Sequence, residues 1–515
     1  MATRDWRAIL DELKPDADEL VRERSAFGQL HLREFLRSTP PTPLLADALM
    51  RLRGLAFEAT QRWRPANQID SFLELAIVDT HDACVDAVAA IQAGAGPPAV
   101  ALLRRAYECM LIVAAGWIDP ASLERELRAA LSRPYTDDRY ALQAHAGLLG
   151  AVMPAPRRLR DIGVAVGRSE SEVMRLAEIE AGLASFGHGG FLSGASCLTD
   201  GTRTHLEAML DMARAYDEFI TQTVALASGA SSQIASRRGY RQAYGETDSM
   251  FGVEIVDLRE NACIAAFDGE FPRALDVLWA TYLGFNSLNI ELGEHLGRRE
   301  HGDARRRQLL VLADGLESAW LATEYLFRGR LSGAATLIRR IFELGLEAQA
   351  WLRRSQTMTK RFAANAFPAS ASDDRTTPAA TTVIRWLHGA KSSVLQRQTY
   401  STLCSVAHGG VQAHEYLLET NGARVGVVPA PHFALRHHRW LLGALIGSVD
   451  SLFGAGLLLA RQENEDIFRN HWGYHGFFRS AQSDVSGLRL VGHLDLDDIA
   501  DPDDEPHAEL RRSDT

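Results

Sequence analysis

Apolar residues along this chain recur at intervals of three and four. Leu10, Leu13, Leu20 and Val21 show the spacing, as do Leu309, Leu312, Leu316 and Trp320. That period lines apolar side chains along one face of a helix and predicts amphipathic helices. No stretch alternates convincingly with the period of a strand, so the expected fold class is all-α. Breaks fall at Pro40, Pro41 and Pro43, at Gly94 to Pro98, and in the low-complexity run Phe367–Thr382, where a loop is expected.

One helical unit occurs twice. Ala99–Trp117 (AVALLRRAYECMLIVAAGW) aligns without gaps with Ala334–Leu352 (AATLIRRIFELGLEAQAWL), placing Arg-Arg-x-aromatic-Glu in register. Upstream, Cys84–Ile91 and Ala319–Leu326 read as apolar helices at the same offset, ending in turns that contain Gly94/Gly96 and Gly329. A second match pairs Leu183, Ser185 and His188-Gly189-Gly190 with Leu403, Ser405 and His408-Gly409-Gly410, both of the form L-x-S-x-x-H-G-G. Two matches in one order predict a tandem duplication of a helical bundle. A softer third correspondence sets Arg203-x-His205 against Arg436-x-His438 and Asp217 against Asp450, with a longer second-copy loop in Asn421–Pro431.

This organisation predicts an N-terminal helical cap over 1–65 and a first bundle over 66–228. Linker and adaptor helices follow over 229–300, then a second bundle over 301–462. An aromatic docking segment is expected over 463–487, with a break at Gly473, and a disordered acidic tail over 488–515.

The repeated polar residues are the first candidates for chemistry. Arg104 and Glu108 stand four apart on one helix face, and Arg105, three from Glu108, can reach the same carboxylate. Arg339, Arg340 and Glu343 repeat the set. Their neighbours are apolar, so these charges must pair or face a wet cavity. Ser185 with His188, and Ser405 with His408, are the natural partners across the bundle. One buried Arg–Glu–His–Ser network per copy is therefore expected, serving either as a lock on helix register or as the floor of a ligand pocket.

The second copy reads Leu337-Ile338-Arg339, Phe342-Glu343 and then Tyr400-x-x-Leu403-x-Ser405-x-x-His408-Gly409. It resembles a bacterial all-helical family catalogued as a domain of unknown function and thought to be related to the HEPN domains of RNases and phage-defence proteins. The likeness covers about residues 70–225 and 305–460, and the first copy departs from it with Glu180 in place of Tyr400. The resemblance implies a HEPN-like bundle present twice. It also implies either a binding or regulatory role in stress or phage defence, or a metal-independent RNase. In such an RNase an arginine separated from a histidine by four to six residues holds the phosphate while the histidine handles the 2′-hydroxyl proton. Arg139-x5-His145 and Arg469-x5-His475 have that spacing, but random placement of 52 arginines and 17 histidines readily supplies it. His188 and His408 are the better general-base candidates if the chain is an enzyme.

Composition narrows these readings. The net charge of −11 argues against a general nucleic-acid coat, which needs a basic surface. Basic runs at Arg157/Arg158/Arg160, Arg237/Arg238/Arg241 and Arg305/Arg306/Arg307 are expected to be solvated faces. Five scattered cysteines without a CxxC pair, and an N-terminus without an apolar signal core, fit a reducing cytoplasm. Trp440–Ala460 has the length of a membrane span, yet the matching helix near Leu206–Ala227 is amphipathic, so a buried bundle helix is expected and no membrane. Ile162–Leu176 imitates a helix-turn-helix, which leaves a DNA-binding regulator as a third reading. His432/His437/His438 and Glu291/Glu294/His295 lack the matched carboxylate and Glu-x-x-His pattern of a di-iron bundle. No metal or cofactor is expected, while RNA, a small ligand and a second copy of the chain stay open as partners.

Overall fold

The computed structural model describes residues 5–38, 43–61, 68–118, 253–297, 303–353, 418–421 and 424–486. It also describes isolated positions at 121, 123–125, 128, 356–358, 383–384, 399–400, 403–404 and 407. The helices are α1 (Trp6–Ser38), α2 (Pro43–Gln61), α3 (Gln68–Gln92), α4 (Gly96–Ile118), α5 (Val253–Glu270), α6 (Ala274–Gly297), α7 (Asp303–Phe327), α8 (Leu331–Arg353), α9 (Leu435–Glu463) and α10 (Glu465–Ser486). The all-α class holds for the described residues apart from one hairpin. There β1 (Leu418–Asn421) pairs antiparallel with β2 (Arg424–Val427), Leu418 opposite Val427 and Asn421 opposite Arg424. Strands of four residues are too short to show an alternating pattern against a helical background. Gly422, directly after Asn421, was the available turn signal.

Two helical hairpins carry the repeated sequence. α3 turns into α4 at Gly94, with φ of 84°, and α7 turns into α8 at Gly329, with φ of 81°. Both turns close in the same way. Gly94 N donates to Ile91 O and Ala95 N to Ala90 O; Gly329 N donates to Leu326 O and Arg330 N to Tyr325 O. This double bond satisfies the last carbonyls of a helix and requires a left-handed residue after it, a conformation glycine adopts without strain.

Around these hairpins α2 packs on α3, α9 packs on α8, and α10 lies against α9 and α6. α1 runs along α6 and touches α10, where Trp6 Nε1 donates to Asp484 Oδ2 at 2.9 Å. α8 is the central element: all but Glu343, Leu352 and Arg353 of its residues are buried. The α7–α8 turn is tied to α3 and α5. Arg330 Nη1 meets Asp86 Oδ1 at 2.5 Å, its Nε meets Glu260 Oε1 at 2.9 Å, and Tyr325 donates to the Asp86 carbonyl at 2.6 Å.

α9 is long and apolar enough to cross a membrane, but 94% of its most apolar window is buried inside the protein. Its mid-helix charge, Asp450, is fully buried and is met from α10 by Arg479, at 2.9 and 2.6 Å, and by His475 at 3.1 Å. Burial works to raise this carboxyl, yet His475 and Arg479 outweigh it and hold Asp450 below its ordinary value. α10 corrects the expected break at Gly473, because the helix runs through it. Phe468, Phe477 and Phe478 supply buried packing on either side of Gly473, and the cost of one helical glycine is only about 1 kcal/mol. The expected solvated face at Arg305 to Arg307 is corrected at Arg307. Arg307 is 3% exposed and forks onto Glu347 at 3.0 and 3.2 Å, so only a run without an inward carboxylate belongs on the surface.

His438, in the first turn of α9, is buried beside Phe433 at 4.4 Å between ring centroids. Burial pushes its imidazole down to about 4, against hydrogen bonding to the Ala434 and Leu326 backbone, which works to raise it. The unfolded chain takes up this proton near 6.5 while the folded chain refuses it, so stability should fall as pH drops from about 6.5 to about 4. Urea unfolding of His438→Asn across that range is expected to show a shallower pH dependence; an unchanged slope would assign the effect to other groups.

Candidate functional site

The repeated arginines sort into two kinds. Arg105 and Arg340 point back across their own hairpins to aspartates 26 residues earlier. Arg105 holds Asp79 with Nε to Oδ1 at 3.0 Å and Nη2 to Oδ2 at 2.7 Å. Arg340 holds Asp314 in the same way, at 3.2 and 2.5 Å. All four side chains are within 3% of full burial, so these forked pairs lie inside the core. Arg104 and Arg339 instead pair along their own helix, with Glu108 at 3.0 Å and Glu343 at 3.2 and 2.9 Å. Arg105 thus finds its forked partner in Asp79, since a carboxylate facing the guanidinium on the neighbouring helix offers a fork that a residue three positions away on the same helix does not.

The networks are also not separate. α4 crosses α8, and Arg104, Arg105 and Glu108 line one cavity together with Arg339, Arg340 and Glu343. Its volume is about 10 Å³, room for about one water molecule. Ala101 and Thr336, at matching positions of the two helices, complete the wall with Ala407. Arg105 Nη1 reaches across to Thr336 Oγ1 at 3.4 Å. On the α8 side, Tyr400 stacks on Phe342 and donates to Glu343 Oε1 at 2.9 Å. Burial pushes the Tyr400 hydroxyl and the Cys404 thiol up, aided by Glu343 and opposed in both by Arg339. Arg339 is desolvated, but Cys404, Glu343, Tyr400 and Glu108 together hold its charge more firmly than usual. Glu108 belongs to α4, so the two motifs sense each other electrostatically.

Ser185, His188, Ser405 and His408 lie outside the described residues, as do the helix-turn-helix-like stretch 162–176 and Arg139 with His145. The other RNase-like spacing is not brought together. Arg469 is exposed and pairs with Glu465, while His475 is buried against Asp450. Among the described residues no three metal-ligating side chains converge, and Cys84, Cys109, Cys263 and Cys404 are free and buried. Sequence reading missed Asp79 and Asp314, although extending the ungapped alignment upstream of Cys84 and Ala319 sets one above the other. It also missed Cys404 and Thr336, neither of which has a chemical partner of its own type in the other copy.

No family model matches the chain, and it matches no curated protein and no solved structure.

Proposed function

We propose that the chain is a helical binding protein of regulatory type, built from two related bundles, whose ligand is held where α4 meets α8. The observation that supports this most is the convergence of both Arg-Arg-x-x-Glu motifs on one cavity. Buried ion pairs stabilise a fold no better than well-packed apolar residues of similar volume, so stability alone does not account for this arrangement. The guanidiniums suit an anionic group, and small-molecule sites commonly lie between the helices of a bundle. A place in stress response or phage defence enters only through the family resemblance.

A second reading, the HEPN-like RNase, is favoured by Ala407, which lines the cavity and directly precedes His408 in sequence. One set of measurements addresses both. Melting temperature and RNA integrity would be followed in EDTA with sodium chloride, inorganic phosphate, ADP and a short single-stranded RNA, for the natural chain and for Arg104→Gln/Arg339→Gln. The binding reading expects at least one probe to raise the melting temperature of the natural chain by a few degrees and to leave the variant's unmoved. A response that is absent, or equal in both proteins, overturns it. Cleavage of the RNA that disappears in a folded His408→Ala protein would select the RNase.

A further inference from the structure

We infer that the cavity between α4 and α8 binds a halide-sized monovalent anion, chloride under ordinary conditions, with Arg104 as its principal donor. The inference deepens the binding reading above and rests on it.

Size is the first argument. A space of about 10 Å³ holds one small species and excludes a phosphate group unless the helices part. Charge is the second. Among the described residues the walls present four guanidiniums and two carboxylates. The aspartates that offset Arg105 and Arg340 stand behind them on α3 and α7 and do not line the space. An occupant therefore sees more positive than negative charge at close range, in surroundings of low dielectric. Glu108 and Glu343 do not reverse this, because each is drawn to the Nε side of its own arginine.

The third argument is an unmet hydrogen bond. Arg104 Nη1 is buried and has no acceptor among the described residues. A buried guanidinium N–H without an acceptor is costly, and such a group in a native fold commonly marks a water or an ion. Water would accept the bond without answering the nearer guanidiniums, and a cation would be repelled. An anion answers both demands.

Bromide is the probe. Crystals of the full chain grown in sodium bromide are expected to show an anomalous difference peak in the cavity, within hydrogen-bonding distance of Arg104 Nη1. In solution, the melting temperature should be a few degrees higher in sodium chloride or bromide than in sodium gluconate at equal ionic strength, and Arg104→Gln should abolish the difference. Density of water size without anomalous signal overturns the inference, and so does a halide effect equal in Arg104→Gln. The crystal result needs no variant, so a poorly folding Arg104→Gln leaves the test intact. A failed bromide test alongside an Arg104/Arg339-dependent response to ADP or RNA would remove the small anion and leave the junction as a binding site. Failure of both would remove the site.

Discussion

Asp314→Ala is expected to cost about 3–5 kcal/mol in urea unfolding, because it strips the Arg340 guanidinium of its forked partner in the core. Asp314 and Arg340 are 3% and 2% exposed, so neither can turn to solvent without opening the α7–α8 hairpin. Typical domains hold about 5–15 kcal/mol in total, which makes this one substitution a large share of the whole. Asp79→Ala should behave similarly, since Asp79 and Arg105 are both fully buried. Replacing both partners distinguishes the lost pair from the lost volume. Asp314→Leu with Arg340→Met should recover most of the stability, because an apolar pair carries no uncompensated charge. A loss below about 1 kcal/mol for Asp314→Ala would mean that Arg340 finds equivalent support elsewhere.

Gly329→Ala should be comparably damaging for an unrelated reason. Its φ of 81° is left-handed, which costs a residue with a side chain about 1–2 kcal/mol. The added Cβ would also stand 2.6 Å from Cys263 Sγ and from the His432 carbonyl oxygen, and 2.8 Å from the His432 nitrogen. The sulfur can give way. The His432 backbone cannot do so cheaply, because its N–H is bonded to the Gly329 carbonyl at 3.1 Å. Strain and overpacking together predict a loss of about 2–5 kcal/mol. Gly28→Ala supplies the comparison. No atom lies within 4 Å of a Cβ there, in mid-α1, so that change should be neutral or stabilise by up to about 1 kcal/mol. Equal urea midpoints for the two variants would refute the account of the turn.

What could be read from the sequence depended on how far apart the partners stood. The helices of Leu10 and Leu309 announced themselves through local periodicity, and the Arg104–Glu108 and Arg339–Glu343 pairs through a four-residue spacing. Contacts over longer separations were harder to see. Asp79 reaches Arg105 across 26 residues and Glu347 reaches Arg307 across 40, and nothing in either helix names the carboxylate that its neighbour will present. Asp450 looked anomalous in an apolar helix until α10 brought Arg479 and His475 to it. The repeat pointed to both arginine motifs, but similarity between two segments carries no information about their relative placement. That they share a cavity is a property of the packing of α4 on α8.

The contact between Trp6 and Asp484 has a consequence for how the chain acquires its shape. The α3–α4 and α7–α8 hairpins join neighbours in sequence and can close as soon as each is synthesised, at little loop-closure cost. α1 is made before α6 and α10, the helices on which it mainly rests, which follow it by hundreds of residues. Its apolar stripe, including Leu10 and Ala17, must therefore wait for its main cover until they arrive. α1 is thus seated late for its place in the sequence, which leaves its apolar face open to misassociation in the meantime.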